Sequence, residues 1–363
     1  MPGRRAGWAP AALPAGLVLA GAVSVQSGAG IADRLFSQLP PASVTTLRLW
    51  SAALIMLSLA GRGAVRAVAG LAARRAWTDG AITLTFGIAL GFMNFAIYQA
   101  FARIPLGIAV TIEFLGPLGV TVTGTLRGNA ANGGRHRRAA GLGYAALAAA
   151  GVALLAGTVG GARLNWAGVA WAAAAGTAWA AYILGSKAAG QRLPGASGLV
   201  IAMCVAALAV TAPGLIVGAA VMFRPSLLAA GAAIGLLSSV IPYWLELEAL
   251  RRIPTSLFGV WMSVQPAVAA LIGLAVLSQR LAAAEWAGIA CVVAASAGAA
   301  AAAGAAAAHG TAAPAEAAGG RAAGDLSPQT TDHLSGPGGP HHPTTSAAAL
   351  LCAADRATRR TER

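Results

Sequence analysis

Three ionisable side chains fall inside long apolar stretches of this 363-residue chain: Arg48, Glu113 and Glu246. A charge surrounded by hydrocarbon is costly, so such residues face a bundle interior or a water-filled cavity and mark ion paths, relays or ligand sites. Glu113 is followed by Gly116 and Pro117. The residue before a proline tends to leave the α region, so the helix is expected to kink or partly unwind there and free carbonyls near the carboxylate. A carboxylate beside loose carbonyls suits an ammonium group or a transferable proton. The competing role is a buried Glu that holds helices in register. All five histidines, His136, His309, His333, His341 and His342, lie outside the apolar stretches. A proton relay must therefore run on carboxylates, and Glu113 is the candidate for proton coupling.

Uncharged polar residues extend the set. Asn94 and Tyr98 are four apart and share one helix face. Tyr243 and Glu246 share another, and Gln26, Tyr182 and Gln265 add hydrogen-bonding groups on other apolar stretches. For the Tyr and Gln residues, interhelical packing competes evenly with ligand contact. Arg48 could neutralise a substrate carboxylate, or could snorkel from the end of its stretch toward water. The candidate substrate-binding set is thus Glu113, Asn94, Tyr98, Tyr243, Glu246, Tyr182, Gln26, Arg48 and Gln265.

The elements that carry these residues follow from composition. The chain is 57% hydrophobic and only 10% charged, with a mean hydropathy of +0.70. Soluble domains carry about 25% charged residues, so this chain is an integral membrane protein. A membrane helix needs about 20 apolar residues, which places spans at 12–32, 41–61, 80–102, 105–126, 139–158, 166–186, 197–219, 227–248, 255–278 and 285–307. Pro105 and Pro254 are expected to open the fourth and ninth helices, since proline tolerates a first helical turn.

Two segments repeat at one offset. Ala100-Phe101-Ala102-Arg103-Ile104-Pro105 recurs as Ala249-Leu250-Arg251-Arg252-Ile253-Pro254, 149 positions later, and Pro117 recurs as Pro266 at the same offset. At that offset Asn94 corresponds to Tyr243. The chain therefore reads as all-α, with two five-helix repeats at 10–158 and 164–307. Five is odd, so the second repeat enters from the opposite side and the repeats are inverted.

The net charge of +14 would suggest nucleic acid in a soluble protein, but the basic residues sit in short clusters between apolar runs and orient membrane helices instead. With a cytoplasmic N-terminus, the inner segments hold Arg4, Arg5, Arg62, Arg66, Arg74, Arg75, Arg127, Arg135, Arg137, Arg138, Lys187, Arg192, Arg251 and Arg252. The outer segments hold only Arg34, Arg103, Arg163, Arg224 and Arg280. Both termini are accordingly expected in the cytoplasm. The first span follows Arg4 and Arg5 like a signal peptide, but no soluble domain follows it, so an uncleaved helix is expected. Residues 309–363 turn to Pro, Gly, Thr, His and Ala and read as a disordered cytoplasmic tail.

Cys204, Cys291 and Cys352 are widely spaced and read as free thiols. No Walker loop, HExxH, GxSxG or metal-type spacing is present, so neither an enzyme nor a cofactor or metal site is expected. The GxxxG spacings Gly87–Gly91, Gly214–Gly218 and Gly231–Gly235 suggest close helix packing.

The run from Leu90-Gly91-Phe92-Met93-Asn94 through Arg103-Ile104-Pro105-Leu106-Gly107 to Glu113-Phe114-Leu115-Gly116-Pro117 resembles the EamA group of the drug/metabolite transporter superfamily, and within it the bacterial threonine/homoserine exporters. Ala180-Ala181-Tyr182-Ile183-Leu184, Pro242-Tyr243-Trp244-Leu245-Glu246 and Pro266-Ala267 carry the likeness into the second half. The resemblance implies proton-motive-force-driven efflux of small amino acids across the bacterial cytoplasmic membrane. Two positions depart from it: similar exporters often carry Glu where this chain has Gln265 and Gln279.

The leading expectation is a secondary transporter that exports threonine/homoserine-like amino acids or related metabolites around a midplane cavity. Its partners are then a small-molecule substrate and the lipid bilayer. The alternatives are an exporter of another metabolite or drug with the same fold, or a passive channel.

Overall fold

The computed structural model describes residues 9–73, 76–127, 134–157, 165–193 and 197–319. Among these residues there is no strand, and ten helical spans are long and apolar enough to cross a membrane. The first two are α1 (Ala9–Leu35) and α2 (Pro41–Ala73), followed by α3 (Trp77–Phe101). The fourth span is α4 (Leu106–Glu113) plus α5 (Leu115–Arg127), and the fifth to seventh are α6 (Gly134–Gly157), α7 (Trp166–Gly190) and α8 (Ser197–Met222). The eighth joins α9 (Pro225–Gly235), a π-helical turn (Leu236–Val240) and α10 (Ile241–Leu250). The ninth is α11 (Thr255–Met262) plus α12 (Gln265–Leu277), and the tenth is α13 (Ala283–Gly319).

The repeat is visible in the backbone. Adding 149 to the bounds of α4 gives those of α11, residue for residue, and the last residue of α3, Phe101, maps onto Leu250, the last of α10. The chain is one multi-pass, all-helical membrane protein in which the odd number of crossings per repeat inverts the second against the first.

Local chemistry explains the ends and breaks. Pro105 and Pro254 do not open their helices as first residues; each is the extended residue just before one, at ψ of 142° and 147°. The Asn165 side chain caps α7 by accepting the Gly168 N–H at 3.2 Å. Two helices outrun the ends of their expected spans by twelve residues each. α2 continues to Ala73 because backbone bonding stays internal beyond the apolar stretch, where Arg62 and Arg66 reach outward. α13 continues to Gly319 through a run of alanine, the strongest helix former. Its last eleven residues belong to the segment expected as tail; residues 320–363, with Cys352, lie outside the described residues.

Packing crosses the repeats. α2 lies on α8, α6 on α13, α3 on α7, and α1 on the eighth and ninth spans. The three GxxxG pairs mark crossings of α3 on α8, of α8 on α2 and of α9 on α2. A Cβ on Gly87 or Gly91 would meet Val205 and Ala206 of α8, one on Gly214 or Gly218 would meet Thr46 and Ser43 of α2, and one on Gly231 or Gly235 would meet Leu47 and Arg48. Ser43 and Thr46 also donate to the carbonyls of Gly214 and Val210, at 2.7 and 2.8 Å, so small and hydroxyl residues together seat α2 against α8.

Candidate functional site

The chemistry concentrates where the spans are interrupted. Pro117 supplies no N–H, so the Glu113 carbonyl loses its helical donor. The interruption is slighter than expected: only Phe114 leaves the helix, and its N–H still reaches the Val110 carbonyl at 3.0 Å. Close packing holds the backbone there. A Cβ on Gly116 would lie 1.9 Å from the Gly176 carbonyl oxygen, and one on Gly176 would lie 2.7 Å from that of Glu113. The two backbones meet directly, which only glycine permits. In the ninth span the break falls at Ser263 and Val264, ahead of Pro266.

The eighth span is interrupted differently. The π turn ends against Pro242, whose missing N–H deprives the carbonyls of Leu237 and Ser238 of donors. Side chains from other helices supply them. Ser24 Oγ of α1 donates to the Leu237 carbonyl at 2.7 Å, and Arg48 Nη2 of α2 donates to the Ser238 carbonyl at 3.3 Å. Arg48 does not snorkel; its guanidinium turns inward and sits 5.2 Å above the Tyr98 ring centre.

These interruptions surround one cavity of about 270 Å³, lined from α1, α2, α3, α4, α7, the eighth span and the ninth. Gln26, Arg48, Asn94, Tyr98, Glu113, Tyr182, Tyr243, Glu246 and Gln265 all line it. The structure therefore gathers the whole candidate set. Repeat-related positions line it in pairs: Asn94 with Tyr243, Ile97 with Glu246, and Glu113 with Met262. The cavity thus lies between the repeats, and its carboxylates come one from each, on different spans.

Glu113, Asn94, Gln26, Tyr98 and Gln265 are buried. Asn94 Nδ2 donates to the Leu90 carbonyl at 2.8 Å, and Tyr182 and Tyr243 line the cavity together with Glu246. Arg48 is near enough to act electrostatically on Glu113, yet among the described residues neither Glu113 nor Glu246 forms an ion pair. Gln26 Oε1, Arg48 Nε, Tyr98 Oη and Ser238 Oγ are buried without a hydrogen-bond partner, and all four residues line this cavity. Buried polar atoms are normally satisfied, and these four orphans lie around one space. Glu248, in contrast, pairs with Arg251 at 3.3 Å and with Arg252 at the end of α10, as expected of an interfacial residue.

The sequence reading missed Ser238 and Trp179. Trp179 lies three residues before Tyr182 on the same helix face and could have been found that way. Nothing local distinguishes the Ser238 hydroxyl. Trp179 and Met262 also border a second cavity of about 240 Å³, walled by Phe114, Leu118, Ile183 and Phe258 and mostly apolar. Trp179 stands edge-on to Phe114 at 5.0 Å between ring centres. Among the described residues no group of three His, Cys, Asp or Glu side chains could hold a metal ion.

Comparison with known proteins agrees with this architecture. The EamA-like transporter family matches residues 166–301, from the start of α7 into α13. The threonine/homoserine exporter RhtA of Escherichia coli (strain K12) is 32% identical over 290 residues, covering 80% of this chain and 92% of its own. The threonine/homoserine exporter RhtA of Salmonella typhimurium (strain LT2) matches to the same extent. A solved crystal structure, 22% identical, aligns with 78% of this chain and 96% of its own at a TM-score of 0.49, too loose a likeness to carry an argument. The coverage and identity of the two exporters place the chain: it belongs to the EamA-like transporter family.

Proposed function

We propose that this protein is a secondary carrier that exports small amino acids of the threonine/homoserine kind across the bacterial cytoplasmic membrane, driven by the proton motive force. The observation that carries the proposal is one cavity lined by Arg48, Glu113 and Glu246 with no ion pair among them. A zwitterion needs opposite charges on opposite walls. Arg48 takes the substrate carboxylate, while Glu113 or Glu246 takes the ammonium. The orphan groups of Gln26, Tyr98 and Ser238 suit a side-chain hydroxyl. The two exporters that resemble the chain carry such substrates by name.

Coupling follows from the same carboxylate. Away from water a carboxyl that forms no ion pair is most stable neutral, and one paired directly with a cation is most stable ionised. Glu113 therefore carries a proton when the site is empty and releases it when an ammonium arrives. The carrier exchanges one for the other as the repeats rock about the cavity. The basic-residue bias sets the orientation: both termini face the cytoplasm, as does the Arg251–Pro254 end of the bundle, while the Arg103–Pro105 end faces outward.

A second reading has its own support. The adjoining apolar cavity behind Trp179 and Met262 favours an amino acid with a bulkier apolar side chain, or another metabolite of that shape. The test is efflux of radiolabelled threonine, homoserine and leucine from loaded cells, with and without the protein. Accelerated loss of threonine or homoserine supports the first reading, and loss of leucine alone supports the second. Unchanged loss of all three refutes both.

A further inference from the structure

The two ends of the cavity are built unequally. Every residue of α4 is buried, whereas none of α11, its counterpart 149 residues later, is. α4 is wedged between α7 and α12, but α11 packs on α13 and α1, and its contact with α5, the pair equivalent to α4 and α12, is at most marginal. The Arg103–Pro105 end of the pathway is therefore the sealed one.

A side chain from the other repeat reaches into that seal. Leu106 opens α4, and its N–H is one of the donors a helix start leaves without an internal partner. Gln279 Oε1, 173 residues away, accepts it at 2.9 Å. The approach is prepared at three points. Ser278 ends α12 in the left-handed region at φ 57°, the one positive-φ non-glycine among the described residues. A serine held there signals an imposed turn. Gly273 leaves room for the amide, since a Cβ there would lie 2.7 Å from Gln279 Oε1. The Arg34 guanidinium donates to the Val276 carbonyl and ties the end of α12 to α1.

We propose that Gln279 is a positioning residue that latches this end of the pathway shut through Leu106, and that the bond breaks whenever α4 leaves α12 to admit solvent or release substrate. The proposal rests on the carrier reading above for its purpose, though not for its geometry. It also gives the uncharged residue at 279 a consequence. A carboxylate there would grip the helix start more tightly when ionised than when protonated, whereas the amide latch does not respond to pH.

The test uses the full-length protein with Cys204, Cys291 and Cys352 replaced. Thr111→Cys is added as reporter, because Thr111 is wholly buried on α4, one turn beyond Gly107, whose missing Cβ would meet Ala270 of α12. An impermeant thiol reagent is applied from the outer side in right-side-out vesicles. Gln279→Ala is expected to raise the labelling rate at least about fivefold over the parent at equal membrane abundance. With each rate normalised to that of free cysteine at the same pH, because the thiolate is the reactive form, Gln279→Glu is expected to label no faster than the parent at pH 8 and progressively faster toward pH 5, while the parent stays flat. Equal rates for the parent and Gln279→Ala would overturn the latch. If Gln279→Ala does not accumulate, Gln279→Glu decides alone, and a flat pH response overturns the proposal. Threonine efflux measured on the same variants separates the two ideas. Labelling that follows the latch pattern without efflux from any variant leaves the latch standing and removes the substrate assignment.

Discussion

The fourth and ninth spans share one backbone plan and differ in nearly everything attached to it. Each runs eight helical residues from a proline-capped start, breaks within two residues, and resumes ahead of a second proline. The first carries Glu113 and the contact glycine Gly116; the second carries Met262 and Gln265 at the matching positions. The first is sealed among its neighbours and the second is not. Duplication thus kept the break, which sets the depth of the cavity, and let the side chains diverge. The lesson is a division of labour. In the proposed carrier, backbone symmetry would offer two equivalent arrangements, with side-chain asymmetry deciding which is occupied and where the proton sits.

The comparison breaks most severely at the contact glycine. Gly116→Leu would drive a side chain into the Gly176 backbone, 1.9 Å from where its Cβ must lie. Overpacking typically costs about 1–3 kcal/mol; with backbone as the obstacle the upper end is expected. Membrane abundance should fall severalfold. Gly119→Ala, two positions after Pro117 with nothing within 4 Å, should accumulate normally. Matching abundance for the two variants would show that α5 and α7 do not meet as described.

The next effect sharpens the chemical difference. Arg48→Lys keeps the charge but cannot hold both the Ser238 carbonyl and the Tyr98 face, since an ammonium is a compact point donor. KM for threonine efflux should rise about fivefold to tenfold, a loss of roughly 1–1.4 kcal/mol, with kcat less affected. An unchanged KM would remove Arg48 from the substrate's carboxylate. Met262→Leu, at the repeat-related position of Glu113, should change efflux of threonine by less than about threefold, under roughly 0.7 kcal/mol. An effect as large as that of altering Glu113 would mean the two halves contribute alike.

The smallest effect is expected beyond the bundle. Truncation after Gly319 should leave efflux within about twofold, under roughly 0.5 kcal/mol, because the composition of 320–363 offers little to bury. Lost efflux at unchanged membrane abundance would reveal a working role for the segment. Orientation has its own check. Gln38→Cys, in the turn between α1 and α2, and His136→Cys, in the first turn of α6, both exposed and expected on opposite sides, should label and resist labelling, respectively, by an impermeant reagent in intact cells. The reverse pattern would invert the bundle.

Much of this arrangement was legible in the residues. Charged and amide side chains are rare in apolar runs, so Glu113, Glu246, Asn94 and Gln265 stood out, and the 149-residue offset tied Asn94 to Tyr243, which shares a helix face with Glu246. Direction was harder. Arg48 near the end of its span reads equally as snorkelling or inward-facing, and what turns it inward is a carbonyl freed by Pro242, 194 positions away. The π turn and the role of Ser238 come from that same tertiary bargain. The break at Phe114 is milder than a proline suggests because Gly116 and Gly176 clamp the backbone from outside the helix. Span bounds erred at α2 and α13, since hydropathy reports where hydrocarbon can be crossed and not where helical hydrogen bonding stops.

Reconstituted transport tests whether Glu113 exchanges a proton for substrate. The purified protein is placed in liposomes loaded with radiolabelled threonine, and efflux is followed with and without an imposed pH gradient for the parent and for Glu113→Gln. Size and hydrogen bonding are kept in the variant while titration is removed. The parent should respond to the gradient, and the gradient-driven rate of the variant should fall at least about tenfold, a barrier rise of roughly 1.4 kcal/mol, at equal incorporation. A variant that answers the gradient at the parental rate would contradict the account and assign Glu113 to packing.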